Sequence, residues 1–306
     1  MNPSFQPALA AAQAAAGSQH YPPGTLYVVA TPIGNLADIS LRALHLLGLV
    51  DAIACEDTRH TGALLQAYGL HKPLLALHQH NEAEAAQGVI ARLQAGERLA
   101  CVSDAGTPGI SDPGARLCAA VRSAGLRCVP LPGASSVTTL LSVAGLTGAD
   151  DPVAFEFTGF LPARGAEREQ GLRRLGQQHH ACVLLEAPHR IAALARDLAA
   201  LGPRPVTLGR ELTKQFEEIV TLPCAELAGW LAAAAARSKG EFALVLHPLP
   251  RTDNGDDGPP AEALRVLGLL LPELPLKTAA RLAAEITGAS KNSLYQAALS
   301  LKAQAD

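Results

Sequence analysis

No GxGxxG fingerprint follows the first strand-like run of this chain of 306 residues, and no CxxC pair occurs among its six cysteines. The first absence argues against a dinucleotide-binding loop of the usual kind. The second leaves Cys101, Cys128 and Cys182, set in apolar strand-like runs, to read as small core residues. Reduced thiols and a cytoplasmic location follow more easily than a disulfide framework. No apolar run is long enough to span a bilayer. The Ala-rich stretch before Thr25 holds no Lys or Arg, so it lacks the basic start of a signal peptide. Residues 1–24 are therefore expected to be a disordered or frayed leader. A net charge of −3 argues against a globally basic nucleic-acid binder. What the chain has in quantity is apolar residue, 48%, enough for the cores of two ordinary domains.

The chain is organised around Ser103-Asp104-Ala105-Gly106-Thr107-Pro108-Gly109-Ile110-Ser111-Asp112-Pro113-Gly114. An apolar run, 99–102, precedes it and a stretch with helical spacing, 115–121, follows, so it reads as a strand-to-helix loop. In open α/β sheets such loops hold the ligand. Its three glycines permit positive φ and let a ligand lie against bare backbone. Asp112-Pro113 reads as a helix start, with Asp as cap and Pro in the first turn.

Strand-like runs at 25–30, 51–55, 74–77, 99–102 and 127–131 alternate with helical spacing, including a helix over 82–94. That rhythm predicts a mostly parallel sheet with helices on both faces. Polar residues gather at the strand ends, at 31–35, 56–60, 78–82, 103–107 and 133–136, and in a parallel sheet those ends share one edge. A polar break at 147–152 marks a domain boundary. A second set of strands is expected at 153–157, 182–185, 206–209, 218–222 and 242–246, with helices near 166–178, 189–201 and 225–236. The short span between the third and fourth of these strands suggests a hairpin, hence a mixed sheet. The chain thus divides into an α/β domain at 25–146, a second α/β domain at 147–248, a linker at 249–260, and a helical segment at 261–306. The spacing of that last segment, with a Gly288 turn, is that of a helix-turn-helix, or of a small helical cap. Charge is uneven: residues 164–214 carry 9 Lys and Arg against 5 Asp and Glu, between acidic flanks. This suggests a face for an anionic substrate, or a helix surface with scattered arginines.

Several stretches together carry a resemblance: Thr31-Pro32-Ile33-Gly34-Asn35-Leu36, Glu56-Asp57-Thr58-Arg59, His80-Asn81-Glu82, the loop from Ser103, Gly159-Phe160-Leu161-Pro162, Glu186-Ala187-Pro188-His189-Arg190, Arg210-Glu211-Leu212-Thr213-Lys214, Lys239-Gly240-Glu241 and Leu274-Pro275-Leu276-Lys277. From about Thr25 to Leu301 the chain resembles the cytidine 2′-O-methyltransferases of small-subunit ribosomal RNA, the methyltransferase I family within the tetrapyrrole-methylase superfamily. It departs from the family at Leu184-Leu185, where an aromatic pair is frequent. The resemblance implies two α/β domains of the class III methyltransferase kind, with S-adenosylmethionine in the cleft between them. It further implies a helix-turn-helix-like tail, 16S rRNA as substrate within the small subunit, and a homodimer. It implies Pro32, Ile110, Ser135, Ser136, Arg210 and Ala243 as cofactor contacts, beside Asp104, Gly106 and Thr107 of the loop.

A sulfonium methyl is already activated, so the protein must mainly place a nucleophilic oxygen in line, with a base nearby. Glu186, Glu56 and Asp57 are the candidate bases, and each could equally cap a helix or pair with Arg59 or Arg190. Arg59, His189, Arg190 and Lys214, with Lys277 and Lys291 of the tail, read as RNA contacts. His78-x-His80 with Glu82 has the alternation of a metal pair, but it sits at a strand end with no cysteine spaced to help, and no metal is expected. Trp230, beside Leu227 and Leu231, reads as helix packing. Two other activities compete: methylation of a small tetrapyrrole, and a non-catalytic RNA-binding regulator.

Overall fold

The computed structural model describes residues 5–77, 82–147, 153–249 and 259–303. Residues 1–249 form one compact unit and 250–306 another.

In the first unit, β1 (Thr25–Val29), β2 (Ala52–Cys55), β3 (Leu74–Ala76), β4 (Arg98–Val102) and β5 (Arg127–Leu131) make a parallel sheet in the order β3-β2-β4-β1-β5. Around it run α1 (Gln6–Ala16), α2 (Leu41–Leu49), α3 (Thr58–Ala67), α4 (Glu82–Gln94), α5 (Ala115–Ser123) and α6 (Ser136–Val143). Side chains alternate across the sheet. Tyr27, Val29, Ile53, Cys55, Ala100 and Val102 pack toward α2. Leu26, Ala52, Ala54, Leu99 and Cys101 pack toward α4 and α5. Both faces are covered, which is why these strands read as unbroken apolar runs. Because β1 lies between β4 and β5, three loops distant in sequence meet at one sheet edge.

The second sheet, β6 (Phe155–Gly159), β7 (Ala181–Glu186), β8 (Pro205–Arg210), β9 (Glu218–Pro223) and β10 (Phe242–Leu246), has the order β6-β7-β10-β8-β9. Only β6 and β7 are parallel. The expected hairpin is β8–β9, and the sheet is mixed. One face packs on α8 (Ile191–Leu198) and α9 (Cys224–Ala232), while α7 (Ala166–Gly176) adds Leu175. The other face, with Ala181, Val183, Ala243 and Val245, packs on Val137 and Leu140 of α6 and on Ile33. Leu140 is fully buried there, a contribution of about 1.5–3 kcal/mol. This shared core joins the two sheets in a single compact unit.

In the second unit, α10 (Ala261–Leu270), α11 (Leu276–Thr287) and α12 (Lys291–Ala303) enclose Ala279, Ala280, Ala283, Leu267, Leu294 and Ala298. Gly288, at φ +71°, ends α11 in the left-handed conformation.

Two expectations are corrected. Residues 6–16 are not frayed but form α1, favoured by alanine and by a proline at its start. Ala12 packs on Leu44 and Tyr68, and the Phe5 ring meets Tyr68 edge-on at 5.0 Å. Asp112 does not cap α5: the helix begins at Ala115 after Gly114, with no side-chain cap of its own. Glu82 at the start of α4 supplies one instead, its Oε1 accepting from the N–H of Gly114 (3.2 Å) and of Leu117 (3.3 Å). His78, His80 and Asn81, most of the 147–152 break and most of the linker lie outside the described residues.

Candidate active site

A pocket of about 390 Å³ opens at the carboxyl edge of the parallel sheet. Ile33 after β1, 104–107 and 110–112 after β4, and 135–137 after β5 form one wall. The opposite wall is 185–188 at the end of β7 and 241–243 at the start of β10, with Phe160 and Leu212. The β2 loop runs alongside without lining it: the Asp57 N–H donates to Asp104 Oδ1 at 3.2 Å.

The glycine loop is held by its own hydrogen bonds. Thr31 and Gly106 exchange N–H···O bonds of 2.9 and 3.0 Å. Thr107 Oγ1 donates to the Ala134 carbonyl at 3.1 Å, and Ser103 Oγ to the Gly106 carbonyl at 3.1 Å. Gly106 has φ +80°, and a Cβ there would lie 3.3 Å from Ile33 Cγ2. Only glycine lets the β4 loop lie this close to the β1 and β5 loops.

Charge in the pocket has one sign. Asp104, Asp112, Glu186 and Glu241 line it, and among the described residues no Lys, Arg or His does. Burial, then the Asp104 charge, pushes the Asp112 carboxyl up, and burial followed by the charges of Asp112, Asp104 and Asp57 does the same to Glu56. Glu186 has a buried side chain; its Oε1 lies 3.1 Å from Arg190 Nε and accepts from the Ala187 N–H at 2.9 Å. Its Oε2 is buried with no hydrogen-bond partner among the described residues.

Of the expected cofactor contacts, the pocket brings together Asp104, Gly106, Thr107, Ile110, Ser135, Ser136 and Ala243. Pro32 is buried beside Ile33 but does not line it. Arg210 is committed elsewhere. Its Nε donates to the Lys239 carbonyl, and its Nη1 to the Phe216 carbonyl and to Glu218 Oε2. Of the candidate bases only Glu186 lines the pocket. Asp57 caps α3, and hydrogen bonds from Arg59 hold its carboxyl well below the usual carboxylate range, which makes it a poor base. Glu56 stands behind Asp104 and Asp112, outside the lining.

Among the expected RNA contacts, His189, Lys277 and Lys291 are exposed. Arg59 is exposed but paired with Asp57. Arg190 is spent on Glu186 and the Leu161 carbonyl. Lys214 is spent on Glu211 (3.0 Å) and Glu241 (3.3 Å). Lys214 belongs to a strained turn in which Glu211 (φ 52°) and Thr213 (φ 67°) take left-handed conformations. Between them Leu212 is pressed into the pocket wall. Sequence reasoning did not assign Ser111, Asp112, Phe160, Leu212, Glu241 or Phe242 to the pocket. The Gly159-Phe160 and Lys239-Gly240-Glu241 stretches were the available signals.

Among the described residues no group of three or more His, Cys, Asp or Glu is set to hold a metal. No helix among them is long and apolar enough to cross a membrane.

Three parallel-sheet loops and a second, mixed sheet enclosing an acidic, glycine-floored pocket define an α/β methyltransferase architecture. The chain belongs to the tetrapyrrole (corrin/porphyrin) methylases, whose model matches residues 25–228. Residues 257–302 match the RsmI C-terminal HTH domain. Ribosomal RNA small subunit methyltransferase I of Pseudomonas aeruginosa is 49% identical over 278 residues, 90% of this chain and 97% of its own. The protein of the same name from Escherichia coli O157:H7 is 48% identical over 280 residues, 90% and 95% of the two chains. Among solved structures, diphthine synthase aligns with a TM-score of 0.56 at 15% identity, over 73% of this chain and 90% of that one. The cobalt precorrin-4 methyltransferase CbiF aligns at 0.53 and 16%, over 72% and 94%. Both likenesses concern the fold.

Proposed function

We propose that the chain transfers the methyl group of S-adenosylmethionine to the ribose 2′-hydroxyl of a cytidine in the decoding region of 16S rRNA. The observation that carries the reading is the pocket's charge: four carboxylates and, among the described residues, no base beside a glycine-floored loop. The cofactor's sulfonium and ammonium groups are cationic, and the pocket volume lies in the small-molecule range. The backbone of Gly106, with Thr107, Ser135 and Ser136, offers the polar contacts, and Asp104 and Asp112 the counter-charge.

The cofactor supplies a methyl carbon already activated toward an oxygen nucleophile. Glu186 Oε2, which has no hydrogen-bond partner among the described residues, would accept the proton of the ribose hydroxyl as that oxygen takes the methyl group. Arg190 holds the other oxygen and so fixes the carboxylate's orientation. Once the cofactor is in place, most of the rate comes from that placement.

The same reading has the protein act as a homodimer in the cytoplasm on the small subunit. Its test is transfer of labelled methyl from S-adenosylmethionine to small ribosomal subunits, with a porphyrinoid as the competing acceptor. Label in a cytidine 2′-O-methyl is the expected result. Label in the porphyrinoid alone, or no transfer at all, would overturn the reading.

A further inference from the structure

A second cleft, of about 540 Å³, adjoins the first. Thr158, Phe160, Leu161 and Pro162 form one side, and Gln170, Gly171, Arg173, Arg174 and Gln177 of α7 and its end form the other. Positions 170, 173, 174 and 177 have i, i+3, i+4, i+7 spacing, so they share one helix face. That face is polar and cationic, and among the described residues no carboxylate lines the cleft. Arg174 forms no ion pair among the described residues, and Arg173 has only an exposed, 3.8 Å contact with Glu169.

The two hollows therefore differ in sign. Among the described residues, the first is lined by four acids and no base, the second by two arginines and no acid. A polyanion is repelled from the first and drawn to the second. One side chain belongs to both: Phe160, half of whose surface (51%) is exposed. An exposed phenylalanine usually rests on a loop free to fold it away, but this loop is fastened. Arg190 Nη2 donates to the Leu161 carbonyl, and Arg168 Nη1 to the Pro162 carbonyl at 2.9 Å. Arg168 is itself buried and paired with Asp197. The β6–β7 register slips between Phe157 and Gly159, and Gly159 has φ +68°. Such a bulge re-aims the residue that follows it.

We propose that the second cleft binds the sugar–phosphate backbone of the RNA strand flanking the methylated nucleotide, and that Phe160 stacks on the nucleobase delivered to the acidic pocket. This rests on the rRNA-methyltransferase reading above and adds to it the path of the strand. Phosphates stay with Arg173 and Arg174, only the uncharged nucleoside passes Phe160, and the carboxylates reject the rest of the polyanion. Aromatic stacking is the common way to hold an unpaired base.

The test uses the full-length protein, unmethylated small ribosomal subunits and S-adenosylmethionine. Arg173→Gln/Arg174→Gln should raise the KM for subunits about tenfold and leave cofactor affinity unchanged by calorimetry. Loss of two phosphate contacts should flatten the slope of log K against log salt by about 1.4. Phe160→Ala should lower kcat, and Phe160→Tyr should restore it, a rescue that a purely structural role would not require. An unchanged KM and salt slope in the double variant, with normal cofactor binding, would overturn the proposal and leave a solvated helix face. Failure of the unaltered protein to methylate subunits would instead strike the parent reading, and this proposal with it.

Discussion

Glu82 holds the glycine loop from behind: its carboxylate receives the N–H groups of Gly114 and Leu117, 32 and 35 residues away. The carboxylate is buried and faces the N-terminus of α5, where unpaired amides and the helix dipole both favour an anion. The loop that floors the pocket thus ends on a helix anchored to its neighbour. Glu82→Ala strands those amides in the interior. It should cost about 1–3 kcal/mol of stability in urea denaturation, and Glu82→Gln should recover part of it.

Gly106 bridges the β4 loop to Thr31 after β1 by two backbone hydrogen bonds. A valine there faces positive φ and Ile33 at once. Gly106→Val should abolish S-adenosylmethionine binding in a calorimetric titration; unchanged affinity would show that the cofactor does not lie against this loop.

Glu186→Gln keeps shape and loses basicity. Turnover on small subunits should fall about 100-fold or more, while cofactor affinity stays within about twofold, as the role lies in proton acceptance rather than cofactor binding. Turnover like that of the unaltered protein would remove Glu186 as the base.

Arg210 ties the β8–β9 hairpin to the Lys239 carbonyl and Glu218 and does not reach the pocket. Arg210→Ala should lower stability by about 1–3 kcal/mol and leave cofactor affinity nearly unchanged. A selective loss of affinity in a stably folded variant would return Arg210 to the cofactor.

Asp112 carries a carboxyl raised by burial and by Asp104. A folded-state pKa above the unfolded one means that the native state holds the proton more tightly, so the group's penalty is greatest at neutral pH. It fades as pH falls through the folded pKa. Asp112→Asn should therefore be more stable than the parent at neutral pH, with the difference vanishing below the ordinary carboxylate range. It should also bind S-adenosylmethionine more weakly, stability and function pulling apart at an acidic site. Denaturation curves at two pH values, with a cofactor titration, check both.

The order of strands and helices was legible because a parallel sheet covered on both faces needs apolar runs, and because glycine and proline mark where those runs stop. The loop at 103–114 was legible as a strand-to-helix loop for the same reason, as were the β8–β9 hairpin and the helical tail. Which side chains serve chemistry was not. Arg210, Lys214, Asp57 and Asp112 look alike in one dimension, yet two are consumed by ion pairs within the scaffold, one caps a helix and one lines the pocket. Their fates depend on what stands opposite, as with Glu82 on α4 and Gly114 just before α5, or Arg190 and the Leu161 carbonyl. Local propensity fixes the elements one at a time; the sorting of acid into one hollow and base into the next arises only when distant segments meet, because desolvation and Coulomb interaction depend on distance in space, which the chain order does not encode.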